Sequence, residues 1–333
     1  MLHSNRLNLF LLLLIIFGAS GCDRPSAATV GDTPVAGQRL KVVTTTGMVT
    51  DLVRAVAGDH ADVLPLMGPG IDPHLFKPTR NDVKKLYEAD AVFYSGLMLE
   101  HRMEEALEQL AGTGRNVFAV TEKLDRNRLR SPPDFAGQYD PHVWMDVSLW
   151  SECLPLVADK LASLDPEHAT DFQQRAQAAQ AEMKELHEYI RRVIESIPPE
   201  NRVLVTAHDA FGYFSVSYGI EVRSVQGVTT ESEAGIQDVN ALVDFLVEKK
   251  LPAIFVESSV NSKNIQAVIE GCQSRGVTVK IGGELYSDAM GAGGTYEGTY
   301  IGMLDANATR IAHALGGTPP ARGFREKLEP PQK

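Results

Sequence analysis

The 333-residue chain has only three cysteines, Cys22, Cys153 and Cys272, too few to staple a small disulfide scaffold. It is short of positive charge: 32 Lys and Arg stand against 43 Asp and Glu, a net of −11. With no Lys/Arg-rich run, the clustered cations that nucleic-acid binding needs are missing, so nucleic acid is excluded as a partner. After the first few residues no stretch reaches 18 continuous apolar positions, which excludes a later membrane span. There is no His-Glu-x-x-His pair and no Gly-x-Ser-x-Gly elbow, the signatures of two large hydrolase groups. What is present is ordinary globular composition, 44% hydrophobic and 23% charged. The length suits about two domains with a packed core each.

The start of the chain sets a compartment. Arg6 supplies a positive end, Leu7 to Phe17 is apolar except for Asn8, and Gly18-Ala-Ser-Gly21 leads to Cys22. Residues 1–21 therefore read as a secretory signal, too short for a stable span. A Cys directly after small residues resembles a bacterial lipobox, in which that Cys is acylated. Ala19 stands where Leu is commonest, and ordinary cleavage with Cys22 left free is the plainer alternative. Residues 22–38, rich in Pro, Ala, Gly, Ser and Thr, read as a lipidated Cys and flexible tether. The expected location is the periplasm or the outer face of the cytoplasmic membrane.

From Leu40 the pattern alternates β-branched runs with amphipathic stretches. Strands are expected at Leu40–Thr45, Asp62–Leu66, Ala91–Tyr94 and Val117–Val120, with helices at Val49–Ala57, from Thr79 to about Glu88, and at Leu99–Leu110. Such βαβα alternation implies a parallel sheet covered on both faces. Asp165-Pro166 then opens a run without Gly or further Pro as far as Ser196, with apolar residues at three- and four-residue steps. That is one helix of 31 residues, about 46 Å long, stopped by Pro198-Pro199. Alternation restarts with strands at Val203–Thr206, Glu221–Val225, Ala253–Glu257 and Val277–Ile281, and helices at Val239–Lys249, Asn264–Ser274 and Gly302–Leu315. The expected architecture is α/β, with two lobes of roughly four parallel strands each. They occupy 39–164 and 198–318, joined by a rigid helix over 165–197, with a tail at 319–333. Ligands of open parallel sheets sit at the carboxyl ends of strands, so the expected site lies between the lobes.

Four residues fall where strands hand over to loops. His74 lies in Gly68-Pro-Gly-Ile-Asp-Pro-His74, His142 in Asp140-Pro-His142-Val-Trp-Met-Asp146, His208 in Val205-Thr-Ala-His208-Asp, and Asp288 in Gly283-Glu-Leu-Tyr-Ser-Asp288. Three imidazoles and a carboxylate suit a divalent transition metal, although residues so far apart in sequence do not establish a site by spacing. Ligating imidazoles need acceptors for their other N–H, and Asp140, Asp146, Asp209, Glu233 and Glu257 are candidates. Asp72 and Asp140 each precede Pro-His and could serve only to shape a turn. Trp144 and Tyr213 read as lobe packing. His60, His101, His168, His187 and His313 read as surface or structural, and Cys153 and Cys272 as buried free thiols on helices. Gly291–Gly294 reads as a mobile loop near Asp288.

The chain from Leu40 to Leu315 resembles the metal-binding proteins of bacterial zinc/manganese ABC importers, the TroA-like family of cluster A-I. The resemblance rests on seven segments in order: LKVVTTTGMVTDLV from Leu40, GPGIDPHLFKPTRNDV from Gly68, DAVFYSGLMLE from Asp90, DPHVWMD from Asp140, TAHDAFGYF from Thr206, GELYSDAMG from Gly283 and GTYIGML from Gly298. It implies metal held between the lobes by His74, His142, His208 and Asp288, with Zn2+ or Mn2+ as the transported ligand. It also implies a membrane permease and a separate ATPase as partners. No P-loop occurs here, so this chain would not hydrolyse ATP itself. Manganese-specialised relatives often carry Glu where His208 stands. Zinc-specialised ones often carry a His-rich acidic loop, whereas Leu124–Tyr139 has no His. What is left resembles the branch with three His and one Asp, described as binding zinc and manganese. The expected function is extracytoplasmic capture of a divalent metal by a non-enzymatic, monomeric protein. Alternatives are a metal-dependent hydrolase, an adhesin-like lipoprotein with structural metal, and a binder of a chelate or cobalamin.

Overall fold

The computed structural model describes residues 39–133, 135 and 137–329. Cys22, the signal segment and the tether lie outside them. Among the described residues no helix is long and apolar enough to cross a membrane.

The first lobe follows the alternation. Strands β1 (Leu40–Thr44), β2 (Ala61–Pro65), β3 (Ala91–Tyr94) and β4 (Val117–Ala119) form one parallel sheet in the order β2-β1-β3-β4. Strand β1 is central, and four of its five residues are buried, as a sheet covered on both faces requires. Helix α1 (Gly47–Ala57) starts where the Thr46 hydroxyl accepts from Val49 N. In α2 (Arg80–Glu88), Thr79 and Asp82 form a reciprocal cap, each satisfying a backbone N–H the helix cannot. Helix α3 (Glu104–Gly112) precedes β4.

Two helices in this lobe have no counterpart in the sequence reading: α4 (Val147–Ser151) and α5 (Leu154–Leu164). Helix α4 is only five residues, too short to show a period, and its Val147, Leu149 and Trp150 are buried. Helix α5 does carry a one-sided pattern, with Pro155, Asp159 and Ser163 exposed opposite buried Leu154, Val157 and Leu161. Asp146 opens α4 by accepting from Ser148 N and Leu149 N.

The long helix α6 runs Ala169–Glu195, 27 residues or about 40 Å. It begins later than expected because Asp165 spends its carboxylate on the His168 ring instead of on the helix backbone, and Pro166–His168 form a 3-10 turn. Phe172, Ala176, Met183, Leu186, Tyr189, Ile190, Val193 and Ile194 face inward. The helix packs on α1, α4 and α5 of the first lobe, and on α7 (Gly212–Tyr218) and α10 (Tyr300–Ala314) of the second. One apolar core therefore runs without a break from Leu40 and Val53, through Leu186 and Ile190, to Leu204, Phe255 and Met303.

In the second lobe, β5 (Val203–Thr206) pairs with β6 (Glu221–Ser224) and β7 (Ala253–Glu257) with β8 (Lys280–Leu285), both parallel. The four strands are thus two hydrogen-bonded pairs, with β5 packed beside β7. Helices α8 (Ile236–Lys249) and α9 (Lys263–Ser274) cover them. Strand β8 lies further along the chain than the expected Val277–Ile281. It contains Gly282-Gly283, which read as a break in the sequence. A side chain at Gly282 would come within 2.7 Å of Ala314 Cβ and 2.8 Å of the Phe255 ring, so glycine lets α10 lie close on the strand. Gly291–Gly294 belongs to a hydrogen-bonded turn, with Gly291 N–H donating to Glu297 O. The expected tail also folds back: Phe324 N donates to Asp305 Oδ2, and Arg325 pairs with Glu182 and Glu185 of α6. Cys153 and Cys272 are buried and free.

Candidate metal centre

Each of the four candidate residues is aimed by local chemistry. His74 follows β2 in a loop shaped by Asp72, whose Oδ1 accepts from His74 N at 2.9 Å. Asp72 Oδ2 accepts from Thr230 Oγ1 of the second lobe at 2.5 Å, tying the loop across the seam. His142 follows β4. Asp140 Oδ1 accepts from His142 N at 3.0 Å and from the ring Nδ1 at 2.8 Å. Asp140 in turn pairs with Arg130, and Tyr213 OH donates to Asp140 O at 3.0 Å. His208 follows β5 directly. Glu257, the last residue of β7, accepts from Ala207 N at 2.7 Å and His208 N at 2.9 Å through Oε1, and from His208 Nδ1 at 2.6 Å through Oε2. Asp288 follows β8, beside Ser287, whose carbonyl accepts from Trp144 Nε1 of the first lobe at 2.8 Å.

These devices bring all four side chains to one point at the seam. His74 Nε2 lies 3.3 Å from His142 Nε2. Asp288 Oδ1 is 3.3 Å from His142 Nε2, and Asp288 Oδ2 is 3.1 Å from His208 Nε2 and 4.0 Å from His74 Nε2. None of the four is more than 3% exposed. His208 Nε2 and both Asp288 oxygens are buried without a hydrogen-bond partner, which is costly for polar atoms unless something else satisfies them. Because a carboxylate holds Nδ1 of His142 and of His208, Nε2 is the nitrogen left to face the cluster.

The protonation balance follows from burial and neighbours. Burial pushes the His74 imidazole down to about 3, against a partial pull from Asp288. Burial also opposes charge on His142, but Asp140 and Asp288 outweigh it and raise the ring to about 9. For His208, burial is likewise overcome by Glu257 and Asp288, which hold it well above its ordinary value. Burial would raise Asp288, yet His208 and His142 hold it well below the usual carboxylate range. The metal-free pocket thus keeps two protons on imidazoles where a cation would otherwise sit.

Of the five expected second-sphere acids, Asp140 and Glu257 serve a ring. Asp146 caps α4 instead, and Asp209 and Glu233 hydrogen-bond to none of the three imidazoles. Asp72 is the turn-shaper its Asp-Pro context suggested. Trp144 packs edge-on against His142 at 5.2 Å between ring centres and Tyr213 is buried, but both do more than pack, since each also donates a hydrogen bond across the seam. Arg130 was missed. Its partner lies ten residues on in sequence and no pattern marks it, yet it supplies the charge opposite Asp140. His101 pairs with Glu231 at 3.6 Å, and His187 meets Tyr218 OH at 3.3 Å.

Two parallel-sheet lobes on a spine helix, with a buried donor cluster at their seam, define a solute-binding protein of the metal-importer type. The chain belongs to the family described as "ZnuA: Zinc-uptake complex component A periplasmic", which its residues 42–314 match. It is 43% identical over 304 residues to the manganese-binding lipoprotein MntA of Bacillus subtilis, covering 91% of this chain and 97% of that protein. It is 48% identical over 274 residues to the zinc-binding protein TroA of Treponema pallidum, covering 82% and 88%. The solved structure of the periplasmic zinc-binding protein TroA from Treponema pallidum superposes with a TM-score of 0.81 at 47% identity, over 84% of this chain and 99% of that one.

Proposed function

We propose that this protein captures a divalent metal ion outside the cytoplasmic membrane and delivers it to a membrane permease driven by a separate ATPase. His74, His142 and His208 would bind through Nε2 and Asp288 through its carboxylate. The carrying observation is the convergence of those donors in a buried pocket where His208 Nε2 and both Asp288 oxygens have no other partner. Asp140 and Glu257 bring two negative charges to the rings and Arg130 returns one positive. With Asp288 this balances a divalent ion, so the ion is held without leaving a net buried charge.

Zinc and manganese both fit as cargo. Imidazoles suit zinc, and any given site generally favours Zn2+ over Mn2+. Asp288 presents one oxygen to His142 and the other to His208, and binding through both would give manganese the fifth donor it uses well. Four protein donors leave no open position for a reactive water, which argues against a zinc hydrolase. Cys22 would carry the lipid anchor and the tether would keep a monomeric carrier at the membrane, with lobes over 39–164 and 198–318.

Competitive titration of chelator-stripped residues 23–333 with zinc and manganese in parallel tests the reading. One equivalent of tight binding that disappears in His208→Ala is the expected result. Tight binding that survives in both His74→Ala and His208→Ala would reject the ligand set.

A further inference from the structure

Outside the seam, one other group of metal-competent side chains comes together among the described residues: His60, Asp165 and His168, whose donor atoms lie within 4.8 Å of one another. Two turns build it. His60 ends the 3-10 turn Gly58–His60 after α1, and Asp165 and His168 bracket the turn that leads into α6. The two imidazoles stack at 3.9 Å between centres, 27° from parallel, over the edge of the buried Phe172 ring. Each ring has one nitrogen on a carboxylate: His60 Nε2 on Asp171 Oδ2 at 2.7 Å, and His168 Nδ1 on Asp165 Oδ2 at 2.6 Å. The other ring nitrogen of each makes no hydrogen bond among the described residues. At His60 this repeats the arrangement seen at His142 and His208, with Asp171 fixing the ring and Nδ1 left over; Asp165 would have to release His168 Nδ1 in order to ligate.

We propose that His60, Asp165 and His168 form a second, shallow metal site on the flank of the first lobe, one that takes late first-row divalent ions such as zinc, nickel or copper and not manganese. Tetrahedral zinc with nitrogen ligands near 2.0–2.1 Å places donors about 3.4 Å apart. Contraction from 4.8 Å requires the stacked rings to turn out of parallel and Asp165 to leave His168 Nδ1. These side chains are free to make it, since His60 is 26% and His168 41% exposed. Two imidazoles and one carboxylate supply only about half of the coordination shell that Mn2+ prefers, whereas the affinity order for such ligands rises toward nickel, copper and zinc. Exposure and the missing fourth protein ligand make the site weaker than the seam. The proposal does not depend on what the seam site carries.

Zinc and manganese titrations of the stripped chain, residues 23–333, test it by stoichiometry. The expected result is two zinc equivalents, the second weaker, against no second manganese equivalent. The second zinc equivalent should vanish in His60→Ala/His168→Ala, persist in His208→Ala, and leave the first equivalent intact in the double variant, which also reports that the variant is folded. Should the double variant fail to fold, wild-type protein answers instead. Sub-stoichiometric Cu2+ added to the zinc-blocked seam should broaden the His60 and His168 imidazole NMR signals selectively. A single zinc equivalent in the wild type, a second equivalent that survives the double variant, or no selective broadening would overturn the site.

Discussion

The two lobes hold their donors differently. In the second lobe β5 ends at Thr206 and β8 at Leu285, so His208 and Asp288 sit at the strand ends, and Glu257 at the end of β7 locks the His208 ring and backbone together. In the first lobe β2 ends at Pro65 and β4 at Ala119, leaving His74 and His142 far out on loops. Those loops are placed by side chains, several of them from across the seam: Thr230 on Asp72, Tyr213 on Asp140, and the Ser287 carbonyl on Trp144. One half-site is held at the ends of its strands; the other is held on loops by contacts from its own lobe, Asp72 on His74 and Asp140 on His142, together with contacts from the opposite lobe.

The sharpest break of this comparison is removal of a donor. His208→Ala and Asp288→Ala should each weaken metal binding about 100-fold or more, as one quarter of a typical zinc-site free energy implies, with far-ultraviolet circular dichroism unchanged. Retained affinity in a competition titration of either variant would contradict the ligand assignment. Next come the ring-holding acids. Glu257→Gln and Asp140→Asn should cost about 10- to 100-fold. Glu257→Gln should be the larger, because Glu257 also holds two backbone N–H groups of the strand-end turn. Equal losses would remove the distinction between a strand-held and a loop-held imidazole.

Acid acts on the three imidazoles unequally. His74 is already neutral above about 3, so it releases no proton on binding at ordinary pH. His142, raised against burial to about 9 by Asp140 and Asp288, and His208, held against burial well above its ordinary value by Glu257 and Asp288, favour the protonated form in the empty site and must lose those protons to ligate. Affinity therefore rises with pH and falls as pH drops, with about two protons released per metal near pH 7. Calorimetry in buffers of different ionisation enthalpy counts them; a count near zero would mean that the empty pocket holds neutral rings. The smallest effect is expected from Thr230→Val, which removes the cross-seam bond to Asp72 and should lower affinity less than about tenfold, the worth of one hydrogen bond. An effect as large as that of Glu257→Gln would show that the His74 loop depends on the second lobe more heavily than one contact suggests.

Much of the first lobe was legible because its strands and helices differ in period and its helix starts carry caps such as Thr79 with Asp82. Helix α4 was not, since five residues are too few to show a period, and α5 was passed over although its exposed Pro155, Asp159 and Ser163 recur at four-residue steps. Strand β8 was displaced by a glycine pair whose purpose, the close approach of α10, is visible only in three dimensions. Three of the four candidate residues are histidines and stood out, although of these three only His208 lies at the strand–loop junction expected of all four, His74 and His142 being carried far out on loops. Asp288 gained its place mainly through resemblance, since one acid among 43 Asp and Glu has no signature of its own. Arg130 and Thr230 could not have been found, because both act across folds of the chain that no spacing encodes.

The unbroken apolar core along α6 has a consequence for signalling. Lobes that share one core cannot melt or swing apart as independent bodies, so heating should give a single cooperative transition with or without metal. Full and empty carriers then present nearly the same outline to a receptor. The message that a cargo is aboard has to be written in the loops that carry His74 and His142, small print on an otherwise constant surface.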